Sequence, residues 1–227
     1  MDRNELIRLV EAAHHNGQAP DLRRIDLGGL DLSHLNLRDC NLGEADLYRV
    51  DFSESNLRNA NLVFANLMRA SLTSADLVNA NMVFANLRQA VMQGAALTGA
   101  NLSAADLSDV DLSNAQLQGC NLSEVNLNGA NLSGANLQNA RLDESNLLDA
   151  DLSKADLRGA TLRRANLEKA KLAKAVYNQQ TVFDEGFDPT TVGMSKERRW
   201  FKSLERLVDT FMKEKGDTRI DIEDDAS

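Results

Sequence analysis

Few residues in this chain have side chains that could do chemistry. The two cysteines, Cys40 and Cys120, stand 80 positions apart, and the three histidines are His14, His15 and His34. Two of the histidines fall at the end of a predicted helix. None of the three stands at a metal-ligand spacing from a cysteine. We therefore expect no metal site and no cofactor.

The acidic side chains are numerous, but they follow a structural pattern. The chain has 34 Asp and Glu residues against 25 Lys and Arg residues, a formal net charge of −9. Most aspartates between residues 21 and 177 directly precede a leucine, a position where short polar side chains hydrogen-bond turns. No nucleophile–base set, phosphate-binding loop or dinucleotide motif appears. We predict that the protein is not an enzyme, and its negative charge argues against direct nucleic-acid binding.

A five-residue period governs most of the chain. Every fifth position from Leu22 to Leu172, 31 positions in all, is Leu, Phe or Met, and the residue two before each is usually Ala. On an α-helix successive members would be rotated by about 140°, and in a flat strand they would alternate between faces. A backbone that turns every five residues instead points both the Ala and the Leu inward. Stacked coils of this kind predict an all-β solenoid.

The tandem motif Ala-(Asp/Asn)-Leu-x-x resembles the pentapeptide repeat proteins over roughly Asp21 to Tyr177. The resemblance implies a right-handed quadrilateral β-helix with four pentapeptides in each coil, and therefore about eight coils here. Under that geometry Cys40 and Cys120 lie four coils, or about 19 Å, apart. This separation is far beyond the reach of a disulfide, so we expect two buried free thiols without a redox role.

The residues that flank the repeats are expected to close the ends of the stack. Asp2 followed by Glu5 is a capping-box pattern that begins a helix. The stretch from Tyr177 to Pro189 (YNQQTVFDEGFDP) resembles a closing segment common in cyanobacterial pentapeptide repeat proteins. The predicted organisation is a helical cap at 1–19, the β-helix at 20–180, the closing segment at 181–194, an amphipathic helix at 195–216 and a disordered acidic tail at 217–227.

Bulky apolar residues are predicted to plug both ends of the stack. Ile25, Leu30 and Leu35 replace the usual small inward residue next to the first helix, and Phe183 and Phe187 would cover the last layer. The C-terminal helix has an apolar face. That face either closes the stack or docks a partner.

An apolar patch on the coils is the main candidate for a binding site. Its members come from two successive coils and their sequence neighbours: Val63, Phe64, Met68, Val78, Val83, Phe84 and Val91. Contiguous exposed apolar patches mark interaction sites, although stacked Val and Phe could also serve only to strengthen the ladder. Trp200 and Phe201 form a second candidate. We expect an unidentified protein partner, and homodimerisation through the apolar face or the C-terminal helix is also open.

The resemblance implies one alternative function, because some pentapeptide repeat proteins mimic a DNA duplex and bind type II topoisomerases such as gyrase. Residues 21–180 contain 19 acidic and 15 basic side chains, so the negative charge is not concentrated on the coils. We favour a rigid, non-catalytic interaction scaffold with a regulatory or assembly role. Since no membrane span and no signal peptide is visible, we expect a cytoplasmic protein that binds no membrane.

Overall fold

The computed structural model describes residues 1–197. These residues form helix α1 (Arg3–His15), strands β1 (Val176–Tyr177) and β2 (Ser195–Lys196), which pair in a two-stranded sheet, and a long series of isolated parallel bridges. The chain divides into two compact units, Met1–Ser195 and Lys196–Ser227. Within residues 1–197, no helix is long and apolar enough to cross a membrane.

The repeating unit of the structure is a coil of 20 residues. From Asp21 with Asn41 to Asp156 with Val176, each parallel bridge joins two residues 20 positions apart. A turn follows each bridged residue at five-residue intervals, so each coil has four short sides. Backbone hydrogen bonds run between coils, as from every fifth N–H to the carbonyl 19 residues later. The chain is thus a repeat β-helix, as the five-residue period predicts.

The interior of the coils is a continuous column of leucines and small residues. The central Leu, Phe and Met side chains from Leu22 to Leu162 are each at most 2% exposed. The small residues two positions earlier, from Cys40 to Ala160, are also buried. Because residues two apart in an extended segment point the same way, each side of a coil contributes one small and one large apolar group. Burial of this apolar surface drives the coiling.

Helix α1 begins with the capping box that the sequence predicts. The Asp2 carboxylate accepts the Glu5 backbone N–H at 2.9 Å, and the Glu5 carboxylate accepts the Asp2 N–H at 2.9 Å. Leu6 and Val10 are the buried residues of the helix. Three bulky inward residues of the first coil are half-buried and pack against the core: Ile25, Leu30 and Leu35.

The register of the coils changes more than once after Tyr177. Thr161 pairs with Val182, which is 21 positions later, so the closing segment carries one extra residue. Ser195 then donates its backbone N–H to the Ala175 carbonyl at 2.8 Å, 20 positions away. The predicted C-terminal helix starts at residue 195, but Ser195–Lys196 form β2 because this hydrogen bond keeps the chain in the ladder. Residues 198–216 of that predicted helix and the predicted tail at 217–227 lie outside the described residues.

The two phenylalanines of the closing segment pack against the last coil. Phe183 and Phe187 are half-buried, and their ring centroids are 4.8 Å apart. Both rings, together with Leu162 and Leu167 of the coil below, line a cleft of about 290 Å³. Because it borders this cleft, the inward-pointing Leu167 is only half-buried.

Candidate interaction surface

Phe64 occupies the third position of a tight turn formed by residues 62–65. The Ala65 backbone N–H donates to the Leu62 carbonyl across the turn at 3.0 Å. The backbone φ angle of Phe64 is +57°, and that of Phe84, one coil later, is +58°. A positive φ at the third position is what a type II turn requires. The turn therefore holds both phenylalanines in the left-handed region.

Phenylalanine is an unusual residue for this turn position. The left-handed conformation costs a residue with a Cβ atom roughly 1–2 kcal/mol, and Gly and Asn adopt it most readily. Some repeats place Gly at the equivalent position, as at Gly99 and Gly119, but most place a residue with a Cβ atom there, as at Arg24 and Glu44. Within residues 1–197, no Phe, Tyr or Trp other than Phe64 and Phe84 has a positive φ. The sequence analysis missed this conformational cost, although Gly and Asn in equivalent positions signal it.

The two phenyl rings form one continuous exposed stack. Their centroids are 5.1 Å apart with an interplanar angle of 8°, and the residues are 58% and 53% exposed. Val63 and Val83 precede them and are half-buried. The Phe64 N–H donates to the Val83 carbonyl at 3.1 Å, so a hydrogen-bonded backbone carries both rings. Val63, Phe64, Val83 and Phe84 together are called the Val-Phe surface below.

The structure does not bring the other predicted patch residues onto this surface. Met68 belongs to the coil side that follows residues 60–64, and Val78 to the side that precedes residues 80–84; both are half-buried. Val91 is exposed and bridges to Ser71 and Asp111. Because residues 90–94 stack on residues 70–74 in a 20-residue coil, Val91 lies two sides away from the Val-Phe surface.

Charged residues occupy the same turn position in the neighbouring coils. Arg24 and Glu44, two coils and one coil before Phe64, form an ion pair with Nε and Oε2 2.9 Å apart. The hydrogen bond from the Arg24 side chain lowers the pKa of Glu44. Ala104 and the exposed Glu124 follow in the two coils after Phe84. Within residues 1–197, Glu124 makes no ion pair.

The other residues that could do chemistry are buried or scattered. Cys40 and Cys120 are buried free thiols, and burial raises the pKa of each to about 12. Thiolate, the reactive form, is therefore scarce at neutral pH. In the part of the chain that the structure describes, no group of three or more His, Cys, Asp and Glu side chains could hold a metal ion. The second candidate site, Trp200 and Phe201, lies outside the described residues.

A family model described as pentapeptide repeats matches residues 25–63, 65–103, 105–143 and 145–176, in 8 copies. No curated protein sequence matches the chain. Among solved structures, the pentapeptide repeat protein Rfr23 from the cyanobacterium Cyanothece 51142 is 42% identical over 48% of this chain, with a TM-score of 0.39. This chain covers 64% of Rfr23 and so spans less than two thirds of the length of that protein.

Two further structures are similar over a larger share of the chain. HetL, a pentapeptide repeat protein involved in heterocyst differentiation regulation from the cyanobacterium Nostoc sp. strain PCC 7120, is 29% identical over 78% of this chain and 97% of its own, with a TM-score of 0.43. QnrB1, a plasmid-mediated fluoroquinolone resistance protein, is 20% identical over 82% and 96%, with a TM-score of 0.32. All three TM-scores are below 0.5, so none of these likenesses carries an argument about function.

Proposed function

The chain belongs to the pentapeptide repeat family, and on that premise we propose that it is a non-catalytic, rigid scaffold in the cytoplasm that binds a protein partner in a regulatory or assembly role. The site of binding is the Val-Phe surface. Stacked coils joined by backbone hydrogen bonds hold this surface in one geometry, so little conformational entropy is lost when a partner binds.

The observation that carries the proposal is the exposure of two phenyl rings from left-handed turn positions. Phe64 and Phe84 are more than half exposed, although the turn would be less strained with Gly or Asn. The positive φ is shared by the same turn position of other repeats, as in Arg24 and Glu44, so the exposed rings distinguish this surface, and aromatic residues are enriched in protein interfaces. Stacking between the two rings contributes about 0.5–1.5 kcal/mol, which is less than the roughly 2–4 kcal/mol that the left-handed conformation costs the two residues together. The fold therefore gains little from these side chains, and a partner gains an aromatic contact.

Affinity purification with a matched control tests this proposal. The tagged wild-type chain, the double variant Phe64→Ser/Phe84→Ser and the control Val91→Ser are purified from the native cell, and the bound proteins are identified by mass spectrometry. Val91 is an exposed apolar residue two coil sides away, so its replacement controls for a general loss of surface hydrophobicity. We expect the control to keep the wild-type partners and the double variant to lose at least one of them. Identical partner sets for all three proteins would refute the proposal.

The proposal also covers the handedness of the stack, its number of coils and the domain boundaries. We propose a right-handed, four-sided stack of about eight coils, closed by helical caps, with domain boundaries at 20, 180 and 194. The 20-residue interval between bridged residues and the half-buried residues at both ends support it. The helix at 195–216, with Trp200 and Phe201 as a second binding site, and the disordered tail at 217–227 are part of the same proposal. Limited proteolysis should cut first beyond residue 194 if these boundaries hold.

Binding to a type II topoisomerase by DNA mimicry is the second candidate function. The net charge of −9 favours it. Basic residues argue against DNA mimicry, because they neutralise acidic side chains on the coils. Lys171, for example, pairs with Asp151, and its Nζ atom is 3.8 Å from Oδ2 of Asp151. A gyrase supercoiling assay over a concentration series of the protein decides between the candidates. We expect no inhibition, whereas inhibition that follows the protein concentration would favour mimicry.

A further inference from the structure

The column of turn residues that contains Phe64 and Phe84 has an asymmetric order of charges. Eight successive coils place residues at the same turn position, one above another. The first six are Arg24, Glu44, Phe64, Phe84, Ala104 and Glu124, and Glu144 and Arg164, which pair with each other, follow them. The phenyl stack lies at the centre of the six. A cation and an anion lie on one side of it, and a small neutral residue and an anion lie on the other.

Two copies of the chain can place these columns face to face in two ways, with their coils parallel or antiparallel. The order of charges favours one of the two arrangements. With the coils parallel, each residue faces its own copy, so Arg24 opposes Arg24 and Glu124 opposes Glu124. Like charges placed opposite one another disfavour an association. With the coils antiparallel about a two-fold axis between Phe64 and Phe84, each phenylalanine faces the other one. Arg24 then faces Glu124, and Glu44 faces the small, neutral Ala104.

We propose that the partner of the Val-Phe surface is a second copy of this chain, bound antiparallel about that two-fold axis. This inference rests on the proposed function, because it names the occupant of the same surface. An isologous contact of this kind needs a patch complementary to itself. The phenyl stack supplies the apolar centre of the patch, and Arg24 and Glu124 supply opposite charges at equal distances from it.

The charged groups of the column are available for this contact. Arg24 uses Nε and Nη2 to hold Glu44, and a guanidinium has further N–H groups that can donate at the same time. Glu124 is exposed and makes no ion pair within the first 197 residues. In the antiparallel dimer the carboxylate of Glu124 gains a cation from the other copy.

The size of the column indicates a weak dimer. Six coils span about 24 Å, and a strip of this length and one coil side in width buries less area than the ~1,200–2,000 Å² of stable complexes. We therefore expect association that depends on protein concentration. Sedimentation equilibrium up to about 1 mM protein would detect it.

The first experiment measures self-association of purified full-length protein. We expect the wild type and Val91→Ser to dimerise with the same dissociation constant and Phe64→Ser/Phe84→Ser to bind more than tenfold more weakly. A wild type that stays monomeric throughout the range would overturn the inference. In that case the proposed function survives if the double variant still loses a different protein in the purification from cells. The far-UV circular dichroism of each variant confirms that it is folded.

The second experiment tests the antiparallel order. In a Cys40→Ala/Cys120→Ala background, the variants Glu44→Cys/Ala104→Cys and Ala104→Cys alone are treated with a bismaleimide that spans the ~10 Å between facing sheets. Within one chain positions 44 and 104 are three coils, or about 14 Å, apart. The two copies of position 104 in the antiparallel dimer are separated by the same three coils and by the gap between the sheets, or about 17 Å. We expect a covalent dimer from the double variant only. A dimer from Ala104→Cys alone would show parallel packing and overturn the inference, and so would the absence of a dimer from both variants.

A charge reversal gives an independent measure of the same contact. Glu124→Arg places a cation opposite Arg24 of the other copy twice in each dimer. We expect the dissociation constant to rise about tenfold at low ionic strength and the difference to shrink in 1 M salt, because salt screens exposed charges. In a parallel dimer position 124 faces itself, so the reversal would leave like charges opposed and the affinity unchanged.

Discussion

The phenyl rings of Phe64 and Phe84 lie 5.1 Å apart and within 8° of parallel, although the residues are 20 positions apart in the sequence. Their separation follows the spacing of the coils, because neighbouring strands lie about 4.8 Å apart. The rings are consequently held face to face by the backbone and need no other neighbour to orient them.

The phenyl stack predicts a measurable coupling between its two members. We expect the sum of the destabilisations by Phe64→Ala and by Phe84→Ala to exceed the destabilisation of the double variant by a coupling of about 0.5–1.5 kcal/mol. Each single replacement already removes the ring–ring contact, so the second one loses less. Urea unfolding of all four proteins, at a concentration where they are monomeric, measures the cycle. Additive effects would show that the rings do not interact.

The leucine column predicts a large cost for a cavity in the middle of the stack. Leu102 is fully buried, so Leu102→Ala should lower the free energy of unfolding by about 2–5 kcal/mol. Gln93→Ala is the matched surface control, because Gln93 is exposed and its loss should change stability by less than about 0.5 kcal/mol. Chemical denaturation followed by circular dichroism compares the two variants. Similar effects for both would contradict the inward orientation of the leucines.

The burial of the two cysteines predicts slow labelling of their thiols in the native protein. Cys40 and Cys120 are buried, and burial raises the pKa of each thiol to about 12. We expect an aromatic disulfide reagent at pH 8 to modify neither thiol quickly in the folded chain and both in denaturant. The rate in the folded state should follow the rate at which the coils open. Rapid reaction of either thiol without denaturant would contradict its burial.

The lowered pKa of Asp156 predicts a contribution to stability that is lost in acid. Partial burial opposes ionisation of its carboxyl, but hydrogen bonds from Arg158 and Gln138 outweigh that effect and lower its pKa below the ordinary value of 3.8. The Arg158 Nη2 and Asp156 Oδ2 atoms are 2.5 Å apart. A carboxyl with a lowered folded-state pKa stabilises the protein above its unfolded pKa and ceases to do so as the pH falls through its folded pKa.

The corresponding variant is Asp156→Asn. We expect the wild type to have the higher Tm at pH 6 and the difference from the variant to shrink between pH 4 and 2, as the wild-type carboxyl takes up its proton. Arg158→Gln, which removes the guanidinium, should shift the loss in stability to higher pH. A difference between wild type and Asp156→Asn that is constant from pH 6 to 2 would contradict the lowered pKa.

Local reading of the sequence predicts the repeating unit because the unit is local. Alternation within five residues decides that a leucine and the small residue two before it both point inward, and both are buried from Cys40 to Ala160. The capping box of Asp2 and Glu5 is also a contact between residues three positions apart. Each of these features depends on neighbours in the chain, so a short window of sequence contains the information.

The membership of the candidate site could not be predicted in the same way. Val91 belongs to the same five-residue pattern as Phe84, and the sequence analysis placed it nearby. Its bridges to Ser71 and Asp111 set it two sides away. Which residues share a face depends on how many residues complete a coil. The family resemblance implies that number, and hydrogen bonds between segments 20 residues apart establish it.

The amino-acid sequence by itself determined a β-solenoid with a leucine interior, since no other regular backbone accommodates a period of five over 31 positions. Only the tertiary structure decided that Phe64 and Phe84 stack in left-handed turns while Val91 lies elsewhere, and that the ladder continues through Val182 and Ser195. The physical reason is that side-chain direction is set by torsion angles within a few residues. The pairing of coils is set by backbone hydrogen bonds between segments that are distant in the chain.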